Sequence, residues 1–405
     1  MKGVVSVRQK RLFYKYLLKS NPFRDIIVFM KTIKIKSLII LSIIIFSASC
    51  FAACGGRDRY PNGLHIPIID GISGITYSGE NDDFFRRIFN TQEEYLLSLQ
   101  TDDGAFIGPS STDASPYFAC FACIALLENP ANAPAVRRYL EWHTGKLNER
   151  DYNGLAYTIY DYKLDAIGLA TELKGEVPRY DSTDSYAALF LAAVYKYYAV
   201  TGDKAFLLEN KEKLIGVADV IMATYHRGLT YAKPDYKIKY AMDNAEAYAG
   251  LAAVTRILYE LEEHGAAKGY YRSAKKLQRT YERKLYKNDY LLWYLGGEHD
   301  PNKFYPDNAC QVYPAIFGVL PGEHRKTQSA YETLNKNFPD WPEYKEERFP
   351  WAILSYGAVV HGDSDSAVKY LEYVYGKFIA EEIYGYRWYN MEGAMAMLTA
   401  SALLN

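Results

Sequence analysis

Acidic side chains stand wherever a long polar loop of this chain enters an apolar run, and they come in groups suited to proton transfer. Asp102 and Asp103 lie in Thr101-Asp102-Asp103-Gly104-Ala105-Phe106, Asp161 lies between Tyr160 and Tyr162, and Asp181 and Asp184 share Asp181-Ser182-Thr183-Asp184-Ser185-Tyr186. Asp243, Glu246, Asp307 and Glu392 follow in later loops. Two carboxyl groups divide acid and base work when burial or a neighbouring charge keeps one of them protonated. Rings on both sides of Asp161 predict such desolvation. Asp103 or Asp161 is therefore the expected acid and Asp184 the expected base, with Asp181, Asp243, Glu246, Asp307 and Glu392 positioning a ligand. The same residues have structural uses: Asp103 before Gly104 suits a turn, and Asp181, Asp184 and Asp243 with Glu246 have helix-capping positions.

Aromatic residues accompany the acids. The chain has 39 Tyr, 18 Phe and 5 Trp. Tyr160, Tyr186, Trp293, Trp351 and Trp388 are expected to line the site, because rings with a polar tip suit a wet groove. Histidine is scarce, and His299 with Asp300 is the one pair in a long loop, so neither a metal centre nor a cofactor is expected. Cys120 and Cys123 form a C-x-x-C inside an apolar helix and read as small buried hydrophobes. Neither a Gly-x-Ser-x-Gly elbow nor a Walker loop occurs.

The elements that carry these residues alternate. Apolar runs at Ser115–Glu128, Ser182–Thr201, Asp243–His264, Pro306–Leu320, Phe349–His361 and Asn390–Leu404 follow long loops. Short turns then lead to more charged runs at Ala131–Lys146, Ala205–Thr224, Ala267–Tyr286, His324–Asn337 and Ser364–Phe378, and Asp82–Leu99 precedes them all. Tight turns make antiparallel neighbours, and helices apolar all round belong inside those with a wet face. The expected fold is all-α, an (α/α)6 toroid whose six long loops share one rim. A rim of that kind is the default site.

Charge and the N-terminus bound the rest. Of 47 Lys and Arg and 48 Asp and Glu, ten and one respectively lie in residues 1–54, which leaves 37 basic and 47 acidic residues beyond. A surface of that sign repels phosphate backbones, so no nucleic-acid partner is expected. Residues 1–29 read as an upstream extension, and 30–54 as an export signal in which Lys31, Lys34 and Lys36 precede the apolar run Leu38–Phe46. That run is shorter than the roughly 20 residues a spanning helix needs. Residues 55–81 read as a Gly- and Pro-rich tether with a docking strap, and 82–405 as the toroid.

Two resemblances sharpen this outline. Phe51-Ala52-Ala53-Cys54-Gly55-Gly56 resembles a bacterial lipobox, which implies acylation at Cys54 and attachment to the cell envelope; Phe51 departs from the aliphatic residue preferred there. The helix alternation, with Asp181-Ser182-Thr183-Asp184-Ser185-Tyr186 opening an inner helix, resembles the six-hairpin glycosidase superfamily over roughly residues 80–405. Within it, Thr183-Asp184 is similar to the centre of the family 8 glycoside hydrolase motif, while Tyr186 replaces that motif's second Asp. The resemblance implies a carbohydrate substrate, hydrolysis by paired carboxylates and a carboxylate role for Asp184. Acids drawn from different hairpins predict inversion. Two other readings use the same toroid: a polysaccharide lyase drawing on Asn244, Arg348 and Arg387, and a surface glycan-binding protein without turnover.

Overall fold

The computed structural model describes residues 64–72, 81–343 and 349–404. Cys54 and the expected export signal lie outside the described residues, as does Arg348.

The α-helices in chain order are α1 (Pro67–Asp70), α2 (Asp82–Ser98), α3 (Pro116–Leu126), α4 (Ala133–Gly145), α5 (Thr183–Thr201), α6 (Lys204–Glu209) and α7 (Lys211–Thr224). They continue with α8 (Ala241–Glu260), α9 (His264–Lys284), α10 (Tyr313–Ile316), α11 (Arg325–Asn337), α12 (Ile353–Val360), α13 (Ser364–Val374) and α14 (Asn390–Leu404). An inner ring runs α3, α5, α8, α10, α12, α14 and closes back on α3, each packed against the next. The outer helices α2, α4, α7, α9, α11 and α13 alternate with these along the chain, which makes the six-hairpin (α/α)6 toroid.

Composition explains the two layers. In α5 and α8, runs such as Ala187–Val194 and Ala247–Val254 are buried on every side. The inner helices pack so closely that a Cβ built at Gly250 would stand 2.5 Å from the Ala188 Cα. Outer helix α9 keeps Leu277 and Tyr281 fully buried and leaves its many Lys and Arg on the solvent side. Gly202, at φ +69°, ends α5 in the left-handed conformation that glycine adopts without a Cβ clash, and the Asp203 side chain then accepts from the Phe206 N–H to start α6.

Two elements differ from the sequence reading. The expected outer helix Ala205–Thr224 is divided into α6 and α7 at Asn210. The expected inner helix Pro306–Leu320 contains a π-helical turn at Phe304–Asn308, a 3₁₀ turn at Ala309–Val312 and only the short α10. Pro314, inside the expected run, lacks the N–H that a continuous α-helical ladder needs there, and a new short helix starts around it. Short antiparallel strands decorate the loops: β1 (Asp113–Ala114) pairs with β2 (Tyr162–Lys163), and β2 with β3 (Glu172–Leu173). Two-residue hairpins stand at Tyr225–Thr230 and Tyr286–Leu291.

The strap around α1 seals one end of the inner ring. Leu64, Ile66, Ile68 and Ile69 are buried, and the Pro67 carbonyl accepts from the Tyr356 hydroxyl at 2.8 Å. Among the described residues the strap is thus part of the packed body, ahead of α2.

Candidate active site

At the other end of the ring, the N-terminal turns of the inner elements surround a cavity of about 590 Å³. Its wall includes Tyr117 from α3, Ser185 and Tyr186 from α5, Asp243 from α8, Tyr313 from α10 and Glu392 from α14. The rim loops add Asp113, Asp161, Lys174, Asp181, Tyr305, Phe349, Trp351 and Tyr389.

The acids of this cavity have different surroundings. Asp161 is held from below by the Tyr186 hydroxyl at 3.0 Å, and burial raises its pKa against that bond. The Tyr that replaces the second Asp of the sequence motif thus supports a cavity carboxylate. Asp243 lies in the first turn of α8, where burial and then the neighbouring Asp181 push its pKa up to about 7. The helix N-terminus favours the anion, and burial outweighs it. Glu392 is 4% exposed and accepts from the Ala352 N–H at 2.6 Å. Trp351 adopts φ +60° and Ala352 φ −57°, so successive N–H groups turn toward one point and form an anion-binding nest. Burial nevertheless raises Glu392 to about 7, with the Trp351 and Ala352 N–H groups pulling the other way.

Position in the ring sets the relation between these acids. α8 is the third inner element and α14 the sixth, so Asp243 and Glu392 enter the cavity from opposite sides. Asp161 and Asp181 come from the loop that precedes α5, Asp181 beside Asp243 and Asp161 beside Ser115 and Tyr186 at the starts of α3 and α5.

A second layer lies beneath. Glu246 is 1% exposed, accepts from the Tyr117 hydroxyl at 2.8 Å and is raised to about 8 by burial and then by Asp243. Asp184 is fully buried, and burial followed by Asp243 holds its carboxyl well above the usual range. It does not line the cavity, because the α5 backbone directs it into the interface with α8, where it sits near Thr230.

Five other expected residues also lie away from the cavity. Asp103 accepts from the Thr101 hydroxyl at 2.6 Å in a turn whose Gly104 packs on the Arg138 backbone of an outer helix. Tyr160 stacks with Tyr152 and Tyr180. Asp307 is buried and takes the Asp300 N–H at 2.9 Å, which shapes its own loop. Trp388 is fully buried and donates to the Gln92 Oε1 at 2.8 Å, locking α2 to the end of the chain. Trp293 is half-buried against Tyr240.

Several cavity residues escaped the sequence reading. Tyr305 stacks on Trp351 with centroids 4.6 Å apart and planes 27° apart, and it is 45% exposed. Lys174 pairs with Asp113 at 2.8 Å across the small sheet. Asp113 precedes Ser115-Pro116 at an inner-helix start, the same signal that marked the other acids. Nothing local marks Lys174. Asn244, which the lyase reading used, is buried and spends its amide on Thr230 and Tyr240 backbone atoms.

No protein-family model matches the chain, and no curated protein is similar to it in sequence. Solved structures are similar in fold. A wild-type glycosidase is 14% identical with a TM-score of 0.62, over 80% of this chain and 99% of that one. A variant glycosidase in complex with glucose is 14% identical with a TM-score of 0.60, over 80% and 99%. A rhamnosidase from Klebsiella oxytoca with rhamnose bound is 14% identical with a TM-score of 0.51, over 80% and 65%. The chain has the toroidal fold of these glycosidases.

Proposed function

We propose that this protein is a glycoside hydrolase that acts in the cavity with inversion at the anomeric centre, with Asp243 as general acid and Glu392 as general base. The observation that carries this reading is the placement of two carboxyl groups, both raised to about 7, on opposite sides of one aromatic-walled cavity. Glycoside hydrolysis by inversion requires a protonated acid at the leaving oxygen and a base that activates water on the other face of the sugar. Asp243 suits the acid, since Asp181 beside it resists a second negative charge. Glu392 suits the base, since its N–H nest stabilises the anion. Asp181 positions substrate on the Asp243 side, and Asp161, held by Tyr186, does so between α3 and α5.

Sugars fit the walls better than a polyanion does. Among the described lining residues Lys174 is the one cation, and it is paired with Asp113. Glucose and rhamnose, the ligands of the similarly folded glycosidases, carry no charge. The protein is proposed to reach the cell envelope through the export signal and to remain there by acylation at Cys54.

The test is a screen of the wild-type chain, Asp243→Asn and Glu392→Gln against soluble oligosaccharides of differing sugar and linkage, read by release of reducing sugar. Hydrolysis by the wild type that both variants lose supports the reading. Hydrolysis that survives both substitutions, or none at all by the wild type, contradicts it.

A further inference from the structure

Outside the cavity, on the Asp243 side of the rim, stands a second group of rings. Tyr240 immediately precedes α8, three residues before Asp243, and the Ala241 N–H donates to the Trp293 carbonyl at 2.8 Å. Both rings are thus tied to the helix end that carries the proposed acid. Their planes differ by 17° with centroids 5.7 Å apart. The Tyr236 hydroxyl meets that of Tyr240 at 3.1 Å, and Tyr236 is 46% exposed. None of the three lines the cavity.

Core packing accounts for most rings of this chain, but not for one left nearly half in water. Exposed apolar surface gathered in one place marks a binding surface more often than an isolated exposed ring does. Here the surface has a particular chemistry: rings edged by two adjacent hydroxyls, with the Lys233 and Lys303 ammoniums over the Tyr236 and Trp293 rings as further hydrogen-bond donors. A pyranose offers the complement, a face of C–H groups with hydroxyls around its edge. Proximity to the cavity says which ligand would lie there, because the Tyr240 hydroxyl, whose pKa burial raises first, is close enough to the cavity acids Asp243 and Asp181 to be raised further by them.

We infer that Tyr236, Tyr240 and Trp293 form an outer sugar subsite, and that the ligand is an oligo- or polysaccharide long enough to span this subsite and the cavity together. The inference rests on the reading of the cavity as a glycosidase site and adds the length of the substrate to it. The outer subsite binds remote sugars and takes no part in proton transfer. Its loss weakens long chains and spares short ones.

Affinity electrophoresis of the full chain through gels containing soluble glucan, mannan or rhamnan measures this binding whether or not turnover occurs. The wild type and Asp243→Asn are expected to be retarded by one of these polymers. Tyr236→Ala and Trp293→Ala are expected to bind that polymer about tenfold more weakly, while turnover of the shortest substrate cleaved stays within about twofold of wild type. Tyr236 is exposed enough that its truncation leaves the core intact, which covers the case in which Trp293→Ala fails to fold. Retardation unchanged in Tyr236→Ala overturns the inference, as does an equal loss on short and long substrates or no retardation of the wild type. Concentration-dependent dimerisation that Tyr236→Ala abolishes assigns the surface to a second copy and also overturns it. Loss of the proposed acid chemistry is read separately, from turnover by Asp243→Asn.

Discussion

The two ends of the inner ring treat charge in opposite ways. At the closed end, beneath the strap, Lys196 near the C-terminus of α5 donates to the Ile69 carbonyl at 2.9 Å and to Glu128 at 2.8 Å. Glu128 also takes the Ser401 hydroxyl, and Arg256 near the C-terminus of α8 holds both oxygens of Asp70 at 2.7 and 3.0 Å. Cations there complement the helix dipoles and satisfy the strap. At the open end the acids take uncharged partners or none: Asp243 takes no hydrogen bond from another described residue, Glu246 and Glu392 accept from the Tyr117 hydroxyl and the Ala352 N–H, and these two with Asp184 are buried and raised. The same six helices thus bind their lid with one end and hold proton-bearing groups ready with the other. On the proposed reading, stability and chemistry are separated along the helix axis.

Substitutions that respect or cross this division test it, beginning with the largest effect. Asp243→Asn or Glu392→Gln should lower kcat by roughly 10²- to 10⁴-fold, the usual contribution of a general acid or base. Neither should lower Tm. Asp184→Asn, under the floor, should leave most turnover and raise Tm at neutral pH. Its folded pKa is raised, so the stability tied to the protonated form is lost as pH rises through that value, and the amide removes the loss. The Tm gain should disappear below the ordinary carboxylate pKa. Abolished turnover in Asp184→Asn would return the base to α5.

At the closed end, Lys196→Met should cost about 3 kcal/mol by stranding Glu128 and the Ile69 carbonyl, with little change in kcat/KM. Thermal unfolding and kinetics on one preparation check both halves of that statement. The pH dependence of kcat/KM should come next in size. Asp243 must be protonated and Glu392 ionised, so activity falls above about 7 through the first and below about 7 through the second, giving a narrow bell. A plateau across several pH units would contradict these roles. Smallest in effect on the folded body is Cys54→Ala, which should move the protein from the membrane fraction to the soluble one with unchanged Tm. Unchanged membrane retention would reject acylation at that residue.

Much of this architecture was legible because helix packing leaves local marks. The Ala-rich runs of α5 and α8, the charged stripe of α9 and the tight turn at Gly202 and Asp203 each follow from a few adjacent residues. The irregular fourth inner element was harder, since Pro314 acts on the ladder and leaves the apolar pattern intact. Cavity-lining residues were legible as a set and not as individuals. Asp161, Asp181, Tyr186, Asp243, Trp351 and Glu392 do line the cavity; position at or just before an inner-helix start betrayed all but Asp161, which its flanking rings marked instead. Asp184 shares that position, but its place on the helix turn points it into the α5–α8 interface, a difference of angle that spacing alone does not convey. Trp388 looked like a rim ring because its loop is polar, whereas its partner Gln92 lies 296 residues away.

The central claim is that Asp243 and Glu392 act from opposite sides of the cavity on one sugar, and the anomer first released reports this most directly. Proton NMR during the first minutes of hydrolysis, before mutarotation, resolves that anomer. We predict the configuration opposite to that of the substrate, as an acid and base with room for water between them at roughly 6.5 to 9.5 Å require. A first product that keeps the substrate's configuration would contradict the account.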